Sequence, residues 1–175
     1  MRRRVLGLVL VVASASGCGG AESATEPPGD SLIAFASSFA DFRTWPSYPV
    51  TETEDATHTT GPRTEYLNQA PAHGSTEFPV GTIVVKESDA GAFADRQIFA
   101  MVKRGASYNA SGAKDWEWFE LRNVDATQVT IVWRGVGPPA GETYGGDANG
   151  GCNTCHAEAS TNDYVRSKAL QLSGF

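Results

Sequence analysis

Sulfur and imidazole are scarce in this chain: three cysteines, three histidines and two methionines among 175 residues. Scarcity narrows the metal chemistry open to it. A zinc site wants a fourth ligand, and beyond Cys152, Cys155 and His156 the only histidines are the isolated His58 and His73. A βαβ pattern is also absent, which argues against a thioredoxin-like redox pair. Long apolar runs are missing after the N-terminus, where no segment approaches the ~20 residues that span a bilayer. Positive charge is in deficit, with a formal net charge of −6, which disfavours nucleic acid and anionic lipid as partners. Charge blocks and internal repeats are lacking too, so one domain is expected.

What is present begins with an address. Arg2, Arg3 and Arg4 precede an apolar run from Val5 to Val12 and small residues from Ala13 to Gly17. This is the order of a secretory signal peptide, assigned to residues 1–17. Ala15-Ser16-Gly17-Cys18 resembles a bacterial lipobox, with Ala15 where leucine is usual. Lipidation at Cys18 is the expectation; ordinary cleavage with a free thiol is the alternative. Residues 18–30 (CGGAESATEPPGD) are small, polar and proline-broken, and read as a tether. The expected location is the periplasmic side of a bacterial envelope, with the membrane reached only through the lipid. Loss of the three arginines with the signal takes the formal charge from −6 to −9. That charge suits a basic, soluble redox partner, although acidity is also a common solubility device.

The sharpest motif is Cys152-Asn153-Thr154-Cys155-His156. Cys-x-x-Cys-His is the attachment signature of c-type haem. Two thiols three positions apart can add to the vinyl groups on one porphyrin edge. The imidazole that follows is then placed under the iron as proximal ligand. The expected cofactor is one covalently attached haem c, held by Cys152 and Cys155 with His156 on the metal. If Cys18 carries lipid and the other two cysteines carry haem, none is left over.

The domain, residues 31–175, reads as α+β. Asp30 and Ser31 are good N-caps, and Leu32, Phe35, Phe39 and Phe42 recur at helical spacing until Pro46. Residues 50–63 form a polar, turn-rich loop that holds His58. Strand signals follow at 64–68, 81–87 (GTIVVKE), 96–104 (RQIFAMVKR), 115–122 (DWEWFELR) and 129–134 (VTIVWR). Turn residues separate them at spacings that suit a five-stranded antiparallel meander, with a helix before the sheet and another after it. Residues 135–151 are a long glycine-rich stretch leading into the haem motif. Beyond it, Ala157 to Leu170 has helical character, with Asn162 or Asp163 as cap and Tyr164, Val165 and Leu170 available to pack.

No residue offers itself as a sixth iron ligand. None of the nineteen residues after His156 is methionine or histidine. Met101 falls in a strand, where a core role is the simpler reading, and His58 and His73 lie in loops. An open axial position points to small-molecule chemistry rather than electron transfer alone. Lys86 is the second residue of interest. In GTIVVKE, alternation puts Thr82, Val84 and Lys86 on one face and Ile83, Val85 and Glu87 on the other. The lysine is then either turned toward a site or a charge that protects a sheet edge.

An ordered set of short runs adds weight. Phe42-Arg43-Thr44-Trp45, Tyr66-Leu67-Asn68, Phe78-Pro79-Val80-Gly81-Thr82, Val85-Lys86-Glu87, the strand at Trp116, the haem motif and Asp163-Tyr164 occur in this sequence order. Over most of residues 35–170 the chain resembles the cytochrome P-460 family, which includes the β-sheet cytochromes c′ (cytochromes c′-β). The resemblance implies an antiparallel sheet with flanking helices, a homodimer and a five-coordinate c-haem. In the family's hydroxylamine-oxidising branch, the lysine matching Lys86 is bonded through its side-chain nitrogen to a porphyrin meso carbon. Such a bond needs a neutral amine. That branch also carries a distal carboxylate on the next strand, where this chain has Phe99, with Asp95 the nearest acid upstream. An aromatic residue there leaves no proton acceptor and resembles the nitric-oxide-binding branch. The expected function is thus an oxidoreductase acting on hydroxylamine or nitric oxide. A nitric oxide trap or sensor without turnover and a simple electron carrier are the alternatives.

Overall fold

The computed structural model describes residues 30–51, 61–141 and 151–175. Cys18, the signal-like run, His58 and residues 142–150 of the glycine-rich stretch lie outside the described residues. Six strands form one sheet: β1 (Ser47–Val50), β2 (Arg63–Leu67), β3 (Ile83–Ser88), β4 (Ile98–Lys103), β5 (Trp116–Asn123) and β6 (Val129–Gly135). They lie in chain order and every neighbouring pair is antiparallel. The meander is as expected, but with six strands where the pattern indicated five. The additional strand is β1, only four residues long with Pro49 inside it. Proline has no N–H to give a ladder, which hides such a strand from pattern reading and restricts it to a sheet edge. β1 is indeed an edge, paired only with β2.

Both faces of the sheet are covered, which is why the central strands are so rich in Val, Ile and aromatic residues. One face carries Tyr66, Ile83, Val85, Ile98, Ala100, Val102, Phe119 and Leu121 beneath Phe39 and Phe42. The other carries Leu67, Val84, Met101, Trp116, Trp118 and Trp133, covered by Val165, Leu170 and Leu172 from the chain's last segment. At about 1.5–3 kcal/mol for each large apolar side chain buried, both layers matter to stability.

Neither flanking helix has the expected form. Residues 31–45 hold two 3-10 turns, Ala36–Phe39 and Phe42–Thr44, with Asp41 left-handed between them at φ 55°. The Asp41 amide donates to the Thr127 carbonyl at 2.7 Å, so a tertiary bond replaces the helical one. The apolar stripe breaks accordingly: Phe39 and Phe42 are buried while Phe35 is 63% exposed. Arg43 fixes this segment to the sheet. Its guanidinium donates to both Glu87 carboxylate oxygens and stacks 4.2 Å from the Phe42 ring centroid.

The Cys-x-x-Cys-His run itself forms α1 (Cys152–Ala157), and in place of the expected helix over 157–170 there is a 3-10 turn at Ser160–Asn162, with another at Leu172–Gly174 beyond it. Asn162 explains the change. Its amide donates to the Val165 and Leu170 carbonyls at 2.7 and 3.0 Å, and its side-chain oxygen accepts the Leu172 N–H at 2.8 Å. One buried side chain thus satisfies backbone that a helix would otherwise have paired. Val165 and Leu170 pack as expected, at 1% and 0% exposure. Among the described residues, no helix is long and apolar enough to cross a membrane.

Candidate functional site

A cleft enclosing about 580 Å³ of empty space, its open mouth included, lies between the tryptophan face of the sheet and the C-terminal segment. Val84, Met101, Trp118, Trp133 and Val165 make it largely apolar. Lys86 and Phe99 enter from β3 and β4, Cys152 and His156 from α1, and Glu65, Arg166 and Ser167 close one end. Residues far apart in the sequence, chosen for one chemistry, thus line one space. Cys155 is not among the lining residues; the Arg166 guanidinium contacts its sulfur. In a helix, positions i, i+3 and i+4 share a face, so Cys152, Cys155 and His156 project to one side of α1.

His156 is buried, and its Nδ1 lies 2.7 Å from the Tyr164 carbonyl oxygen. A carbonyl can only accept, so Nδ1 carries the proton and the lone pair of the neutral ring falls to Nε2. This is the tautomer of a metal-ligating histidine whose other nitrogen is oriented by backbone. The Trp118 ring packs against the imidazole with centroids 4.4 Å apart.

The Tyr164 carbonyl is placed by a left-handed corner, Asp163 at φ 49° and Tyr164 at φ 63°. Such a conformation is costly away from glycine and needs to be held. A buried clamp holds it. Lys103 Nζ donates to the two Asp163 oxygens at 2.6 and 2.8 Å, and the Phe78 amide donates to Oδ2 at 2.9 Å. Burial pushes the Asp163 carboxyl above its ordinary range, against the opposing pull of Lys103 and the Phe78 N–H.

Asn153, inside the Cys-x-x-Cys-His run, fixes α1 to the sheet. Its side-chain oxygen accepts from Asn109 Nδ2, the Ala113 amide and Trp118 Nε1 at 2.7, 3.1 and 3.0 Å. Its amide donates to Asn109 Oδ1 and the Val136 carbonyl, each at 3.0 Å. The approach is so close that a Cβ on Gly112 would collide with the Asn153 side chain.

Strand register explains the row of residues across the cleft. Glu65 pairs with Lys86, Lys86 with Phe99, Phe99 with Glu120, and Glu120 with Trp133. β3 is an interior strand, so Lys86 is not an edge-protecting charge; its side chain is 13% exposed and turned into the cleft. Glu87, on the opposite face, binds Arg43, as alternation requires. Lys86 Nζ lies 3.6 Å from Glu65 Oε1. Asp95 is exposed in a 3-10 turn before β4 and takes no part. His73 is exposed, its Nδ1 2.8 Å from the Phe175 carbonyl. Met101 is buried at 5% and also lines the cleft.

Sequence reasoning missed Glu65, Asn153 and the Lys103–Asp163 pair. Glu65 had a usable signal: it alternates with Leu67 in RTEYL, so pairing the neighbouring strands would have set it beside Lys86. Comparison with protein-family models, curated proteins and solved structures finds no match to this chain.

Proposed function

We propose that this chain is a periplasmic, lipid-anchored c-type monohaem protein that oxidises hydroxylamine or nitric oxide. One observation carries the reading: Lys86, Cys152 and His156 line the same apolar cleft. The donor set fits haem, with two thiols on one face of α1, an imidazole whose Nε2 holds the lone pair, and aromatic walls suited to a flat macrocycle. Haem held there would supply a redox metal able to accept electrons from a substrate nitrogen. Cys152 and Cys155 would form its thioether links, and His156 its protein ligand. Tyr164 holds the imidazole ring in place, and the apolar wall limits water. Lys86 reaches the same space and is the residue to bond the macrocycle edge, as in the hydroxylamine-oxidising proteins the sequence resembles. A small nitrogen compound is the substrate class, a soluble acceptor takes the electrons, and the homodimer remains part of the proposal.

A second reading has its own observation. Phe99 lies directly across from Lys86 and lines the cleft. An aromatic side chain there favours reversible nitric oxide binding without turnover. Co-expression with c-haem maturation machinery, followed by intact mass and absorption spectra, separates the two. A red-shifted Soret band lost in Lys86→Ala supports the enzyme. An ordinary high-spin spectrum that responds to nitric oxide supports the binder. A low-spin spectrum indifferent to ligand, and converted to high spin by Met101→Ala, turns the assignment to an electron carrier. Colourless protein overturns all three.

A further inference from the structure

Glu65 supplies the carboxylate among the described residues that line the cleft, at 1% exposure, and it sits in a wall with two sides. Inward it lines the apolar cleft and meets Lys86 at 3.6 Å. Outward it lines a second depression, together with Arg63, Glu158, Arg166 and Lys168. Ser167 belongs to both, and its hydroxyl donates to Glu65 Oε2. A buried carboxylate with no structural task beyond one ion pair would be poorly placed here, since truncating either partner leaves the other charge buried. A carboxylate that joins an apolar cleft to a more polar depression, with a hydroxyl shared by both, has a different use.

We infer that Glu65 is the proton-accepting residue of the cleft, exchanging its proton with solvent through Ser167. The inference rests on the haem reading above and deepens it. The sequence, with Phe99 across from Lys86, indicated a site without a proton acceptor; the acceptor comes instead from the strand on the other side of Lys86. The physical reason is charge balance. An electron added to a water-poor cleft raises its negative charge, and the nearest anion responds most strongly. The balance is one electron, from the substrate or in the test from the electrode, onto the haem that the cleft would hold, and one proton from bulk water onto Glu65, its carboxylate becoming a carboxylic acid. The other charged or titratable groups facing Glu65 are Lys86 on β3, Tyr48 across from it on β1, Arg63 on its own strand, and Glu158, Arg166 and Lys168 on the C-terminal segment.

The test is the reduction midpoint of the haem-loaded protein, measured at an electrode from mildly acidic to mildly alkaline pH. Wild type should show a segment that falls with pH by up to about 59 mV for each tenfold drop in proton concentration, the one-proton, one-electron limit. Glu65→Gln should flatten that segment, while Glu120→Gln keeps it. Ser167→Ala covers the case of a Glu65 variant that does not fold. Without the hydroxyl that bonds Glu65, the sloping segment should change its position along the pH axis. A slope unchanged in both Glu65→Gln and Ser167→Ala, with full haem content by pyridine haemochromogen, overturns the inference and leaves the haem reading standing. A slope lost in Glu120→Gln also overturns it. Protein without haem overturns both.

Discussion

Asp163 shows how much of this site depends on single side chains away from the cleft. Its carboxylate and Lys103 are both buried, and together they hold the corner from which the Tyr164 carbonyl orients His156. Asp163→Leu would leave the Lys103 ammonium buried without its partner, at a cost of about 3–5 kcal/mol in urea unfolding. Combining it with Lys103→Met should recover most of that loss. The recovered double variant still has no clamp on the corner, so on the haem reading its iron–histidine stretching band in resonance Raman should broaden or shift. Gly112 offers a second test at this scale. Gly112→Ala drives a methyl group into Asn153. It should destabilise by roughly 1–3 kcal/mol, the range for crowding a packed interior, and Asn153→Ala in the same chain should relieve part of the effect.

At the scale of elements, the β5–β6 turn carries a pH dependence of known sign. Asp125 accepts from the Thr127 amide, the Thr127 hydroxyl and the Gln128 amide, each at 2.8 Å. These bonds favour the charged form and hold its carboxyl below the ordinary range. A lowered folded-state value means that the turn's stabilisation is fully present above the ordinary carboxylate range. It is lost as pH falls through the lower, folded value. Protection of the Thr127 and Gln128 amides from hydrogen exchange, corrected for intrinsic rates, should therefore fall on acidification. In Asp125→Ala it should be low and flat with pH. The same scale shows what the sequence could and could not disclose. Alternating residues in GTIVVKE put Lys86 and Glu87 on opposite faces, and the structure has them there. Five of the six strands were legible because β-branched and aromatic residues recur along them, although β6 is an edge strand paired only with β5. β1 was not, because four residues with a proline carry too little pattern. The two expected helices failed for a different reason. Helical spacing of Phe35, Phe39 and Phe42 is a local signal, whereas the Asp41–Thr127 bond that breaks the helix is tertiary. Asn162 does the same at the other end, where one amide side chain overrides the helical character of residues 157–170. The cleft was half legible: the haem motif and Lys86 stood out by residue type, but Glu65 needed a strand register that only pairing reveals.

Across the described residues, the sheet separates two layers that, on the haem reading, should respond differently to the proposed cofactor. The layer with Phe39, Phe42 and Phe119 makes no contact with the cleft beyond Phe119 and Ala100 at its floor. The layer with Met101, Trp118 and Trp133 forms the cleft wall. Haem loading should therefore protect amides of β5, β6 and the C-terminal segment most, and those of β1 least, in a hydrogen-exchange comparison of loaded and unloaded chain. Tryptophan fluorescence should fall steeply on loading, because Trp118 and Trp133 face the bound chromophore. Equal protection across both layers would mean that the cofactor, if bound, sits elsewhere.

The strict chain order of the strands has a consequence for assembly. Each strand pairs with the one made just before it, so the sheet can zip progressively from β1 to β6 as the polypeptide lengthens. Cys152, Cys155 and His156 follow β6 in the chain, after every strand of that wall. On the haem reading, a chain that zips in this order would form a receiving surface first and bring the anchoring thiols to it last, which limits the time that they spend unsheltered.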